Sequence, residues 1–281
     1  MAVAVNSGRT ARVQVGPRRR RWAGKGLRAY AALVLAFLYL PIVVIVIFSF
    51  SAGRIPTLPI ESLTLDWYRR AFSDPLIWQS LRNSILVATG VGLVSCVVGL
   101  LAGKELAWRE FRGKGLILLV VLIPMVVPLL VFGLASYLLI RAIHIPEGTF
   151  AVMLTHSVFG ISFATLILYS RLLGFRRSLL EAAATLGAPP IRVFFEILVP
   201  LVMPGLIAAF LLAFLSSFDE FIVAFFVIGF GRTLPVTIWS QLRGGISPEI
   251  NAIATQVLLI SITLGIAAQW LIVRSSRSRE R

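Results

Sequence analysis

Six apolar stretches dominate this 281-residue chain, near 29–49, 80–102, 116–140, 150–172, 201–225 and 250–273. Each is about as long as the roughly 20 residues a helix needs to cross the hydrocarbon core of a bilayer. In lipid every backbone N–H and C=O must be bonded within the protein, so stretches of this length predict helices. With 58% hydrophobic and 14% charged residues and a mean hydropathy of +0.92, the bilayer is the solvent this chain is built for. The expected fold class is an all-α integral membrane protein with six transmembrane helices.

The basic residues give the orientation, because Lys and Arg stay on the cytoplasmic side during insertion. Of 27 basic residues, 20 fall in the segments on one side: Arg9 to Arg28, Lys104 to Lys114, Arg171 to Arg192, and Arg274 to Arg281. The remaining seven are Arg54, Arg69, Arg70, Arg82, Arg141, Arg232 and Arg243. Both termini are expected in the cytoplasm. Topology and lipid headgroups account for the net charge of +15, and no soluble basic face is available for nucleic acid. Four consecutive arginines, Arg18 to Arg21, precede the first stretch, but its length exceeds a signal h-region, so it reads as a retained span. The expected organisation is a basic tail (1–28), a first span (29–49), an external segment (50–79), a core (80–273) containing a cytoplasmic loop (174–200), and a basic tail (274–281).

Single features add detail. Trp67, Tyr68 and Trp78 suit an aromatic belt at the outer interface. Pro124 and Pro128 predict a kinked third span, and Gly99 with Gly103 provides G-x-x-x-G spacing for close helix approach. Cys96 reads as a packing residue. His156 reads as a helix–helix hydrogen bonder, and His144 lies in a short outer loop. Gly99 to Lys104 lacks the spacing of a nucleotide loop, so ATP is not expected to bind here. No H-E-x-x-H, G-x-S-x-G or acid/base cluster supports an enzyme. The absence of a repeat between the halves argues against a self-sufficient secondary transporter or channel.

The loop between the fourth and fifth stretches reads R-R-S-L-L-E-A-A-A-T-L-G-A-P-P-I-R-V-F-F-E-I-L-V-P. Ser178 and Glu181 have capping-box spacing, Leu179 to Leu186 are strong helix formers, and Gly187 offers a left-handed stop. Pro189 and Pro190 can open a second helix, expected over 192–199 with Pro200 at its end. The alanines Ala182, Ala183 and Ala184 leave a face that a partner's groove can approach closely.

These residues carry a resemblance. Glu181, Ala182, Ala183, Gly187, Ile197 and Pro200 stand in the pattern E-A-A-x3-G-x9-I-x-L-P, with Val199 where Leu is usual. That resembles the EAA loop of permease subunits in type I binding-protein-dependent ABC importers. The resemblance implies that the loop is a coupling helix seated in the ATPase subunit. It also implies two ATPase copies, a second homologous permease, an extracytoplasmic solute-binding protein and a bacterial inner membrane. No cofactor or metal is expected on this chain, ATP and Mg being held by the partner ATPase, and no residue of it is expected to be catalytic.

Further segments resemble the spermidine/putrescine branch of that family: L-D-W-Y-R-R-A-F at 65–72, Asn83 and Ser84, S-F-D-E-F-I-V-A-F-F-V at 217–227, T-L-P-V-T-I-W at 233–239 and S-P-E-I-N-A-I-A-T at 247–255. The branch also includes permeases for opines, phosphonates and iron. Asp219 and Glu220 stand in the fifth stretch, where carboxylates are costly unless they face protein or a wet cavity. Two readings stay open for them. They bind a cationic solute together with Phe218, Phe221 and Trp239, or they form a gate with Arg232 or Arg243.

Overall fold

A computed structural model describes residues 17–53, 57–245 and 248–277, so the basic residues Arg9, Arg12, Arg54, Arg279 and Arg281, and Ser247, lie outside the described residues. The chain divides into two units, Met1–Phe48 and Ser49–Arg281.

Among the described residues the first unit is one long helix, α1 (Pro17–Phe48), which starts just ahead of the arginine run rather than at residue 29 and carries Pro41 inside it.

The second unit opens with a short antiparallel bridge between Ser51 and Leu63. The Trp67 indole N–H donates to the Ser51 carbonyl at 2.8 Å, and the Tyr68 hydroxyl meets Ser49 Oγ at 2.6 Å. Trp67 is therefore a buried fastener of this hairpin. Helix α2 (Asp66–Ser73) follows, and Asp74 then caps α3 (Pro75–Trp108) by accepting the Leu76 N–H at 2.8 Å. Pro75 costs nothing at this position, because its missing N–H would have been unpaired anyway.

The third apolar stretch is broken rather than kinked. Helices α4 (Lys114–Val126) and α5 (Leu129–Ala142) meet at an angle of 105° across Val127 and Pro128. Val127 is extended, as the ring of the following proline requires. Helix α6 (Thr149–Leu173) is unbroken and packs along α3. Glycines make the close approach possible: a Cβ on Gly103 would lie 2.9 Å from the Tyr169 amide nitrogen.

After α6 come α7 (Ser178–Thr185), a helical turn α8 (Pro190–Arg192), a π-helical turn (Val193–Leu198) and α9 (Val199–Phe218). The last three form one continuous helical run of 29 residues. Pro200 therefore does not end a helix as expected. The preceding π turn, in which the Val199 N–H donates to the Phe194 carbonyl five residues back, shifts the bonding register just before the proline.

Helix α9 stops at Phe218, well short of residue 225, and α10 (Ile222–Val227) starts after a break of three residues. Helices α11 (Leu234–Leu242) and α12 (Pro248–Arg277) complete the unit. The core lies between α3, α6 and α9, with Leu100, Ala164, Leu168, Leu198 and Val202 buried at one level. Val87, Val152, Ala213 and Val223 are buried at another.

Four helical runs are long and apolar enough to cross a membrane: 26–48, α3, α6 and 190–218. The bent α4–α5 pair supplies a fifth. The sixth expected stretch falls in α12, and four to five spans stand among the described residues where six are expected.

Candidate functional site

Two regions gather the residues singled out above. The first is the hairpin after α6. Helix α7 ends in a Schellman motif: the Gly187 N–H donates to the Ala184 carbonyl at 3.0 Å, and the Ala188 N–H donates to the Ala183 carbonyl at 3.1 Å. Gly187 has φ +84, a left-handed conformation that side chains resist, so glycine belongs there. Pro189 is extended and Pro190 starts the next turn.

The capping box does not form. Arg177 is the N-cap, Ser178 is already inside the helix, and α7 has no side-chain cap. The Glu181 carboxylate is exposed and has no hydrogen bond or ion pair among the described residues, so it stays available to a partner. Ala182 is exposed, Ala183 and Ile197 are half-buried, and Pro200 is exposed. Beside the turn, Leu186 and Ile191 are 88% and 68% exposed, two large apolar side chains that the motif does not include.

The hairpin's base is anchored to the ends of α3 and α6. The Trp108 indole N–H donates to the Leu172 carbonyl at 3.2 Å. Arg177 donates to the Trp108 carbonyl at 3.1 Å, and its guanidinium lies 5.3 Å from that ring's centroid.

The second region is the break between α9 and α10. Glu220 reaches forward, and its two oxygens accept the Val223 N–H at 3.0 and 2.9 Å. Oε2 also accepts the Ala224 N–H at 3.1 Å. Those are orphan donors of the first turn of α10, so the carboxylate acts as a cap. His156 Nε2, from α6, lies 3.2 Å from the same Oε2 in an electrostatic contact off the hydrogen-bond direction. Nδ1 of the ring bonds Ser217 Oγ at 2.9 Å. Serine, histidine and glutamate stand in hydrolase-like order, but Glu220 consumes the amide donors that an oxyanion would need.

Asp219 differs from its neighbour. It ends α9, is exposed, and has no side-chain hydrogen bond or ion pair among the described residues. On one side lies a cavity of about 670 Å³ that also meets His156, Ser217 and Glu220. On the other is one of about 250 Å³ that meets Trp239 and Leu234. Asp219 and Phe221 border both. The Phe221 and Trp239 rings are 5.1 Å apart, and the Arg243 guanidinium lies 5.9 Å from the Trp239 centroid.

Phe218 belongs to the core: it is 1% exposed and stacks on Phe214 at 5.9 Å, although its edge reaches the smaller cavity. The ion pairs among the described residues join neither Asp219 nor Glu220 to Arg232 or Arg243, so the gate pairing is not formed here. Glu220 finds His156 instead. His156 is thus a helix–helix bonder as expected, but with a charged partner that sequence reasoning missed. The available signal was one imidazole and one carboxylate in separate apolar stretches, each costly to leave alone.

Asn83 and Ser84 have a structural role. Asn83 donates to the Arg232 carbonyl at 2.9 Å and Ser84 Oγ accepts the Leu234 N–H at 2.8 Å, which fastens the start of α11 to α3.

Residues 95–281 match the family of binding-protein-dependent transport system inner membrane components. The chain is 34% identical over 257 residues to the putrescine transport system permease protein PotI of Escherichia coli K12, covering 89% of this chain and 91% of that one. It is 32% identical over 249 residues to the spermidine/putrescine transport system permease protein PotC of Haemophilus influenzae, covering 88% and 96%. Among solved structures, a chain of a bacterial ABC transporter involved in import of the acidic polysaccharide alginate superposes with a TM-score of 0.71 at 18% identity, covering 90% of this chain and 98% of that one. The chain belongs to the family of binding-protein-dependent ABC importer permeases, a non-catalytic membrane subunit homologous to the putrescine and spermidine permeases, whose ATPase is a partner.

Proposed function

We propose that this permease carries a polyamine or a similar small cationic solute into the cytoplasm. The observation that carries the reading is Asp219, an unpaired carboxylate between two cavities, beside the Phe221–Trp239 pair. An ammonium group can pair with Asp219 while the aliphatic part of the solute lies on the rings, whose faces attract cations. The putrescine and spermidine permeases among its relatives point the same way.

In this reading the chain crosses a bacterial inner membrane six times with both termini in the cytoplasm, supported by the distribution of its basic residues. Two ATPase copies drive it, a second homologous permease completes the pathway, and an external binding protein delivers the solute. The α7 hairpin, with Glu181, Ala182, Ala183 and Gly187, docks in the ATPase, and the exposed Leu186 and Ile191 supply apolar contact. ATP and Mg act only there. Closure of the ATPase pair shifts the permease toward one access state because the hairpin contacts differ between the states.

Uptake of labelled putrescine by proteoliposomes holding the assembled importer tests the solute. Asp219→Asn is expected to raise KM about tenfold, the factor that corresponds to losing roughly 1.4 kcal/mol of binding. Absence of putrescine and spermidine uptake by the unaltered importer would overturn the reading.

A further inference from the structure

Asp219 and Glu220 are adjacent in sequence and opposite in circumstance. Glu220 is held on three sides, by the Val223 and Ala224 amides and by His156, and its side chain is 13% exposed. Asp219 is exposed and unpaired among the described residues. His156 is placed to enforce this difference, because its ring touches both sides of the break. Nδ1 bonds Ser217 in the last turn of α9, and Nε2 meets Glu220 just beyond it.

The imidazole comes from a helix that cannot easily slide. One turn further along α6, a Cβ on Gly160 would collide with the Ser95 and Val91 side chains of α3, which pack directly onto the α6 backbone at that level. The His156 side chain itself is 3% exposed. Its two nitrogens are thus fixed points against which the break is set.

We infer that His156 is a positioning residue: by holding Glu220 against the first turn of α10 it fixes the α9–α10 break and leaves Asp219 as the one carboxylate of the pair that borders the cavity without a partner. A cavity with one unpartnered carboxylate offers one free contact to an ammonium group, and the rest of the solute must be held by rings or by length. Release of Glu220 would put a second carboxylate beside the first. The consequence for transport rests on the proposed reading of Asp219 as a cation contact, whereas the conformational claim does not.

The two nitrogens can be tested separately, because Asn places its amide near Nδ1 and Gln places its amide near Nε2. In the assembled importer in proteoliposomes, a Cys96→Ser, Asp219→Cys background is labelled with a cationic and with a neutral methanethiosulfonate reagent. The ratio of the two rates reads the local charge without any solute. With His156 or His156→Gln the ratio is expected to agree within twofold. With His156→Asn it is expected to rise at least fivefold, as Glu220, released from the amides and the ring, turns its charge into the cavity. An unchanged ratio in His156→Asn overturns the inference, and so does the reverse pattern, with Asn normal and Gln altered, which would assign the role to the Ser217 bond. If a His156 variant assembles poorly, a Glu220→Gln background serves: there His156→Asn must leave the ratio unchanged, and a further rise overturns the inference. Uptake of labelled putrescine by His156→Asn with Asp219 intact forms the second arm, in which KM is expected to move at least fivefold and more than Vmax. A shifted labelling ratio with an unmoved KM supports the clasp and overturns the reading of Asp219 as the cation contact.

Discussion

Gly99 of α3 and Ala164 of α6 meet with almost nothing between their backbones: a methyl group on Gly99 would lie 2.6 Å from the Ala164 Cβ and 2.9 Å from the Thr165 amide nitrogen. Where lipid is as apolar as the side chains, such close contact is the main source of helix association. Gly99→Ala is therefore expected to cost about 1–3 kcal/mol through overpacking. Gly115→Ala, in α4 with open space around the added carbon, is expected to be neutral or slightly stabilising. Thermal denaturation of the two variants in detergent checks the contrast.

Gly187 stands in open space, so a side chain there would meet only backbone strain. Gly187→Ala is expected to cost roughly 1–2 kcal/mol in the hairpin and to lower solute transported per ATP hydrolysed. Gly187→Asn, which tolerates the left-handed region, is expected to recover most of that ratio. Paired uptake and phosphate-release measurements on one preparation decide it.

Leu186 is almost fully exposed and supports nothing in its own chain. Leu186→Asp is accordingly expected to change the permease's own stability by no more than about 0.5 kcal/mol. Affinity for the ATPase subunit should fall at least tenfold. Full ATPase recovery on the Leu186→Asp permease in co-purification would show that this face is not the dock.

Glu220→Ala removes the cap of α10 and leaves His156 facing an apolar cavity wall. The expected loss is about 1–3 kcal/mol, the range for a lost cap together with an orphaned buried partner. Asp219→Ala, next in sequence but unpaired, is expected to leave stability nearly unchanged. Comparative unfolding midpoints of the two single variants provide the check.

Much of this architecture was legible in the residues, because the rules that govern it are local. Apolar stretches of bilayer length became helical, Pro124 and Pro128 marked the distorted third stretch although as a kink and not the break that forms, and L-G-A-P-P spelled a stop, a turn and a restart. The failures share a cause: each depends on a partner distant in sequence or on backbone register. Nothing between Ser217 and Phe221 is a helix breaker by type, so the interruption at Asp219 cannot be read from the residues alone. It becomes intelligible only once Glu220 turns forward and finds an imidazole 64 positions upstream. Pro200 and Ser178 were misread for the related reason that one extra residue in a turn, or one position of offset in a cap, changes which atoms meet.

The unbroken run from Pro190 to Phe218 has a geometrical consequence. Its 29 residues make a rod of roughly 43 Å at about 1.5 Å per residue. A tilt of about 10° around one tip sweeps the other by roughly 7 Å over that length, more than the diameter of an ammonium group. Since the run joins the Gly187 elbow to the Asp219 gap with no interruption of the helix, a small tilt at one extremity would become a solute-sized excursion at the other to the extent that the π turn and Pro204 do not bend.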